Sequence, residues 1–163
     1  MATSRPSPGD TIRAYWRRLA PLPGGKALFS RALGLMAPYS GSVRPLVVAL
    51  EPGYARVRMA DRRAVRNHLD SVHAVALVNL AELASGLAML ASLPPTARGI
   101  PVRIAIDYLK KARGTLEAEC RCVLPDVSVD GEHEFTASVR DAAGDEVARA
   151  VVRWRLGPME RRS

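Results

Sequence analysis

The sequence predicts an α+β fold: an antiparallel five-stranded sheet wrapped around one long central helix, with short helices on its N-terminal side. Three observations predict it. Residues 74–93 are apolar on nearly every face, with only Asn79, Glu82, Ser85 and Ser92 polar, and a helix of that kind has to be surrounded. After it, four runs alternate apolar and polar residues with the period of half-buried strands. One further strand pattern precedes the helix, and all connections are short, the layout of a sheet that closes over one helix.

The elements follow in order. Residues 1 to about 9 read as a flexible tail. Asp10 is placed to cap a first helix, Thr11 to Leu19, which Pro21, Pro23 and Gly24-Gly25 terminate. Lys26 to Met36 predicts a second helix with Leu28, Phe29, Leu33 and Met36 on one side, ended by Pro38. Arg44 to Met59 reads as the first strand, with Glu51-Pro52-Gly53 as a bulge or turn inside it. Asp61 to Ser71 is a polar loop. The long helix follows, and Pro94-Pro95 ends it. Ile100 to Leu109 sets Val102, Ile104 and Ile106 against Arg103, Ala105 and Asp107. Thr115 to Leu124 puts Leu116, Ala118, Cys120 and Cys122 on one side. Glu132 to Arg140 puts His133, Phe135, Ala137 and Val139 together. Asp141 to Asp145 is a hairpin turn, and Glu146 to Leu156 completes the set.

Composition narrows the function classes. A chain of 163 residues fits one core. The helix is nearly long enough to cross a bilayer, but Glu82 would stand near its centre at a cost of roughly 2.5 kcal/mol or more. Small residues dilute its apolarity and no second such segment exists, so no integral membrane role is expected. The N-terminal residues lack the apolar core of a signal peptide, which predicts a cytoplasmic protein. Cys120 and Cys122 are the only cysteines. Two apart in a strand, they share one face and do not make a metal or redox motif, so no metal is expected. The net charge is +8. Its arginines are dispersed, without the aromatic-interleaved basic motif of a nucleic-acid reader, so no nucleic-acid partner is expected. Paired cations at Arg17-Arg18, Arg62-Arg63 and Lys110-Lys111 suit the phosphates of a nucleotide-bearing substrate.

Chemistry concentrates where the polar segment enters the helix: Asn67, His73 six residues on, then Glu82 nine residues further. With Leu80-Ala81-Glu82, and with Gly99-Ile100-Pro101-Val102 running to Asp107-Tyr108-Leu109, these residues resemble the hotdog-fold acyl-CoA thioesterases. The resemblance is to the phenylacetate-pathway-like enzymes and a related bacterial group of uncharacterised hotdog proteins. It spans about residues 26 to 157, which implies a tail and short helix over 1–25, a hotdog domain over 26–157 and a C-terminal tail over 158–163. The family's His-Gly-Gly is His73-Ala74-Val75 here, its acid is Glu82 instead of Asp, and a position that carries a hydroxyl in some members is Pro101.

The resemblance implies hydrolysis of an acyl-thioester at a dimer interface. The amides of Ala74 and Val75 would hold the thioester carbonyl. Glu82, presented across the interface, would be nucleophile or general base, and Asn67 and His73 would orient thioester and water. Lys110, Lys111 and Arg113 would meet the phosphates of coenzyme A, which is part of the substrate; no separate cofactor is implied. The chain is expected to be a homodimer, or a homotetramer built from dimers, joined through the strand Ile100 to Leu109. Two rivals stand beside this reading. A non-catalytic acyl-CoA or lipid binder would keep the pocket without the glycines. A hotdog enoyl-thioester hydratase or dehydratase would pair His68 with Glu82, fourteen residues apart.

Overall fold

In the computed structural model, which describes residues 7–159, three helices come first: α1 (Pro8–Leu19), α2 (Gly25–Met36) and the short α3 (Pro38–Gly41). A hairpin, β1 (Leu46–Glu51) and β2 (Tyr54–Met59), leads to the central helix α4 (Ala74–Leu90). Then come β3 (Ala97–Tyr108), β4 (Leu116–Arg121), β5 (Gly131–Arg140) and β6 (Glu146–Pro158). All strands join one antiparallel sheet in the order β1-β2-β4-β5-β6-β3.

The sheet therefore has six strands, not five. The segment 44–59 folds back on itself, because Gly53 takes φ +75 after Pro52 and Glu51 pairs with Tyr54. A proline followed by a residue in left-handed backbone is a turn, and a Cβ at Gly53 would stand 2.4 Å from the Cys122 carbonyl oxygen. The first helix also begins earlier than Thr11. Ser7 is its N-cap, Pro8 opens it, and Ser7 and Asp10 form a reciprocal capping box. Asp10 thus supports the cap from inside the helix. The tail expected over 1–9 lies outside the described residues as far as Pro6. Of the tail expected over 158–163, Pro158 closes β6 and residues beyond Met159 lie outside the description.

α4 lies across β2, β4 and β5. Leu80, Leu87 and Met89 are 1 % exposed or less, packed against Val57, Leu116, Val139 and Val152 from the sheet. Each such side chain contributes about 1.5–3 kcal/mol through burial. The C-terminus of α4 is held by α1: Arg13 donates to the Ala91 carbonyl at 2.7 Å and reaches that of Leu93 at 3.5 Å. A cation there satisfies carbonyls that the helix leaves orphaned and opposes its negative dipole end. The helix ends at Leu90, so Pro94-Pro95 stops a chain that has already left helical geometry.

Two groups of residues expected to share one side are split in the structure. In α2, Phe29 is buried and Leu33 half-buried, but Leu28 is 57 % and Met36 66 % exposed. In β3 the alternation breaks at a bulge between Pro101 and Arg103, which takes Val102 out of phase. Beyond it Ile104, Ile106 and Tyr108 pair with Val152, Ala150 and Ala148, so they share the inner face of the sheet. The outer face carries cross-strand ion pairs, among them Arg58–Glu117, Arg153–Glu134 and Arg155–Glu132. Among the described residues no helix is long and apolar enough to cross a membrane.

Candidate active site

α4 has three polar residues inside it, and their fates differ. Asn79 is buried and its Nδ2 donates to the Tyr39 carbonyl at 3.1 Å. Ser85 is buried too; its hydroxyl donates to the Glu82 carbonyl at 2.9 Å and accepts from Trp154 Nε1 at 3.4 Å. The half-buried Glu82 carboxyl has no hydrogen-bond or ion-pair partner among the described residues. Burial without compensation raises its pKa above the usual glutamate range. Its setting is made by Gly86 and Trp154. A Cβ at Gly86 would stand 3.3 Å from the Trp154 ring and 3.8 Å from Glu82 Oε1. The missing side chain lets the indole dock against the helix, and the acid lies beside it.

Glu82 belongs to the one stripe of α4 that the sheet leaves open. Val75 is exposed and Val78 and Glu82 are half-buried, spaced three and four residues apart and so on one face. Next to that stripe lies the inner face of β3, where Ile104 is 39 % and Tyr108 49 % exposed although both point toward the core side of the sheet.

The N-terminus of α4 is built by His73, which caps it: its Nδ1 accepts from the Val75 amide at 3.1 Å. The Val75 amide is thereby engaged. Ala74, the first residue of the helix, lines a cleft of about 390 Å³ together with Asn67, Leu77, Tyr108, Lys110 and Lys111. Asn67 holds the loop that enters the helix. Its Oδ1 accepts from the Leu69 amide at 2.9 Å and from the Ser71 amide and hydroxyl at 3.3 and 3.2 Å, which leaves its Nδ2 for other contacts. Tyr108, which the sequence pattern did not single out, donates its hydroxyl to the Ala74 carbonyl at 3.3 Å, and burial raises its pKa.

The three basic residues behave differently from one another. Lys110 is clamped by Asp141 at 2.9 Å and Asp145 at 2.5 Å. Arg113 Nε donates to the Asp70 carbonyl at 3.1 Å. Lys111 is exposed and has no acidic partner among the described residues.

The structure thus brings Asn67, Ala74, Lys110 and Lys111 to one cleft. It does not bring Glu82 there. Nine residues of helix separate Glu82 from His73 by roughly 13 Å along the axis and two and a half turns. His68 is exposed on the loop before the helix. Cys120 is buried, Cys122 half-buried, and both are free thiols; Cys120 is pushed up in pKa by its hydrogen bond with Cys122 and by burial. Among the described residues no three His, Cys, Asp or Glu side chains are grouped to hold a metal ion.

Residues 25–156 match the model of a domain of unknown function, DUF4442. The chain belongs to the DUF4442 family. Among solved structures it is similar to the structural-genomics protein APC5556, with 33 % identity, 91 % of this chain and 99 % of that one covered, and a TM-score of 0.80. It is also similar to PA5026 of Pseudomonas aeruginosa, a protein of unknown function described as a probable thioesterase: 25 % identity, coverage of 85 % and 97 %, TM-score 0.69. A third match, at 21 % identity with coverage of 71 % and 90 % and a TM-score of 0.60, is smu.793 of Streptococcus mutans, solved bound to acetyl CoA. No curated protein matches the chain. The DUF4442 chain described here therefore has the hotdog fold of the thioesterase-like superfamily.

Proposed function

We propose that this protein is an acyl-CoA thioesterase with Glu82 as its general base or nucleophile. The observation that carries the reading is the Glu82 carboxyl itself: half-buried, unpartnered among the described residues and raised in pKa, beside Trp154 on the open stripe of α4. An acid left uncompensated at a protein's interior costs stability and is favoured where it does chemistry. The thioesterase described for PA5026 and the acetyl CoA bound to smu.793 agree with this substrate class.

The site is completed by a second copy. Glu82 and the cleft at the helix N-terminus are too far apart in one chain to act on one carbonyl, so a productive site unites this cleft with Glu82 of the partner subunit. The thioester carbonyl oxygen accepts from the Ala74 amide at the positive end of the helix. The carboxylate removes a proton from water, and the hydroxide adds to the carbonyl carbon. The C–S bond then breaks, and the CoA thiolate leaves with the proton. A raised pKa makes the carboxylate a stronger base than an exposed glutamate. Asn67 Nδ2 orients the acyl group, His73 fixes the helix N-terminus, and Lys111, with Arg113, meets the phosphates.

One observation favours the rival reading of a non-catalytic acyl-CoA binder. The Val75 amide, the second expected oxyanion donor, is held by His73 Nδ1. Thiol release from a panel of short, long and aryl acyl-CoAs separates the two. The enzyme releases thiol, and Glu82→Gln loses on the order of 10²-fold or more in kcat while still binding acyl-CoA. Wild-type protein that binds CoA and releases none is a binder. Loss of the enoyl chromophore without thiol release would identify a hydratase instead.

A further inference from the structure

The helical layer has its apolar side on the wrong face for a helix that only packs on a sheet. On α2 the residues turned to solvent are Ala27, Leu28, Arg31, Ala32, Leu35 and Met36. Leu35 is 83 % exposed, Met36 66 % and Leu28 57 %, and Tyr39 on α3 continues the patch at 70 %. Positions 28, 32, 35 and 36 follow the helical repeat of α2, so they form one strip, and Tyr39 is exposed just past the break in the helix at Ala37. Exposed apolar strips of this kind mark contact surfaces.

The charge around the strip is one-sided. Between Asp10 and Glu51 the chain has no Asp or Glu, but it has Arg13, Arg17, Arg18, Lys26, Arg31 and Arg44. Lys26 is spent on the Val48 carbonyl and Arg13 on Asp10 and the end of α4. Arg17, Arg18, Arg31 and Arg44 are exposed and have no acidic partner among the described residues. Arg31 and Arg44 stand in the walls of a groove of about 850 Å³ between α2, α3 and β1, whose rim includes Leu35.

We propose that the α2–α3 face is a docking surface for an anionic lipid bilayer. Leu28, Leu35, Met36 and Tyr39 enter the interface, and Arg31 and Arg44 take lipid phosphates in and beside the groove. Charge decides against a second copy: a two-fold contact would set these unpaired arginines against their own images. The face itself decides against a small anion, which would leave the strip in water. Apart from Arg31 the outward face of α2 has no hydrogen-bonding side chain to specify a folded partner. Apolar insertion and positive charge are all that a lipid surface requires.

The experiment is flotation with vesicles of phosphatidylcholine alone and of phosphatidylcholine mixed with phosphatidylglycerol, and it does not depend on the thioester reading. The expected result is binding to the mixed vesicles at low salt and not to pure phosphatidylcholine. Leu35→Ser with Met36→Ser lowers the bound fraction about tenfold or more with an unchanged melting temperature, since both side chains are exposed. Arg31→Gln with Arg44→Gln moves release to lower salt, and Arg153→Gln on the sheet face has no effect. Three results would overturn the proposal. One is failure to float with the mixed vesicles. Another is loss of binding in Arg153→Gln with none in the serine variant, which is charge adsorption alone. The last is absence of flotation together with an assembly, with itself or with an acidic acyl carrier protein used as probe, that the serine variant abolishes.

Discussion

The two halves of the sheet treat α4 differently. Under β2, β4 and β5 the inward face is closed over the helix: Val57, Ala118, Ala137 and Val139 are fully buried in one core with Leu80 and Leu87. At the β6–β3 end the helix leans less on the sheet, and the inner face of β3 stays partly open at Ile104 and Tyr108. Glu82 lies on the helix stripe that looks toward this open half. One half is finished by a single chain. The other stays partly exposed, and the unpartnered acid lies on the helix stripe beside it. Stability resides in the first, and the proposed two-copy site falls in the second.

Several measurements can break or sharpen that contrast. The largest effect is expected in the closed half: Leu80→Ala removes a side chain with no exposed surface and costs about 2–5 kcal/mol in denaturant unfolding. Val78→Ala on the open stripe should stay within about 1 kcal/mol of wild type. Equal losses would erase the distinction.

Glu82→Gln is the next test, and it should separate activity from stability. Activity falls by on the order of 10²-fold, while stability at neutral pH rises. The sign follows from the raised pKa. The folded state holds the proton more tightly than the unfolded one, so the wild-type contribution is greatest below the ordinary glutamate pKa. It is lost as pH rises from there through the folded-state pKa. The melting temperatures of wild type and Glu82→Gln should therefore diverge as pH rises above the ordinary glutamate pKa, with the variant higher at neutral pH. Parallel curves would mean that the carboxyl is compensated.

Ile104→Glu places a charge on the open inner face of β3. It should weaken self-association about tenfold or more, read by light scattering across a dilution series, and leave the fold intact because Ile104 is already 39 % exposed. A wild-type monomer at micromolar concentration would remove the two-copy site altogether. The smallest effect belongs to the cations. Lys111→Ala should raise the Kd for CoA by a few-fold and reduce its salt dependence. Lys110→Ala should act mainly on the Asp141–Asp145 turn, whose carboxylates it clamps, and lower the melting temperature slightly.

The closed half was legible in the sequence. An all-apolar helix and the two-residue alternation of β4 and β5 are local patterns that burial imposes directly, and Asp141 to Gly144 forms the expected turn with Gly144 at φ +87. The open half was less so. A bulge at Pro101 shifts the phase of β3 by one residue, and nothing in the alternation upstream announces it. The six-strand count turned on Pro52-Gly53, where a turn and a bulge look alike until Tyr54 is seen to pair with Glu51. The spacing from Asn67 to His73 to Glu82 marked the polar residues, but not which groups they touch. That His73 caps the Val75 amide, that Asn67 spends its oxygen on the loop and that Trp154 docks on the helix beside Glu82 are not written in that spacing, and the last depends on the absence of a side chain at Gly86. The single apolar side read for α2 divides between core and solvent for a related reason: apolar spacing groups residues, and only packing decides which of them are covered.

The contact between Arg13 and the end of α4 bears on how the chain is made. Arg13 bonds carbonyls 78 and 80 residues downstream. At roughly 5–20 residues per second, a ribosome takes several seconds to supply that partner after α1 has emerged. During this interval the first helices exist without the element that anchors them, with Leu28, Leu35 and Met36 in water. α1 is thus made before its anchor and is among the last elements to be locked, and the cell's folding machinery meets two apolar, cationic helices before there is a core to hold them.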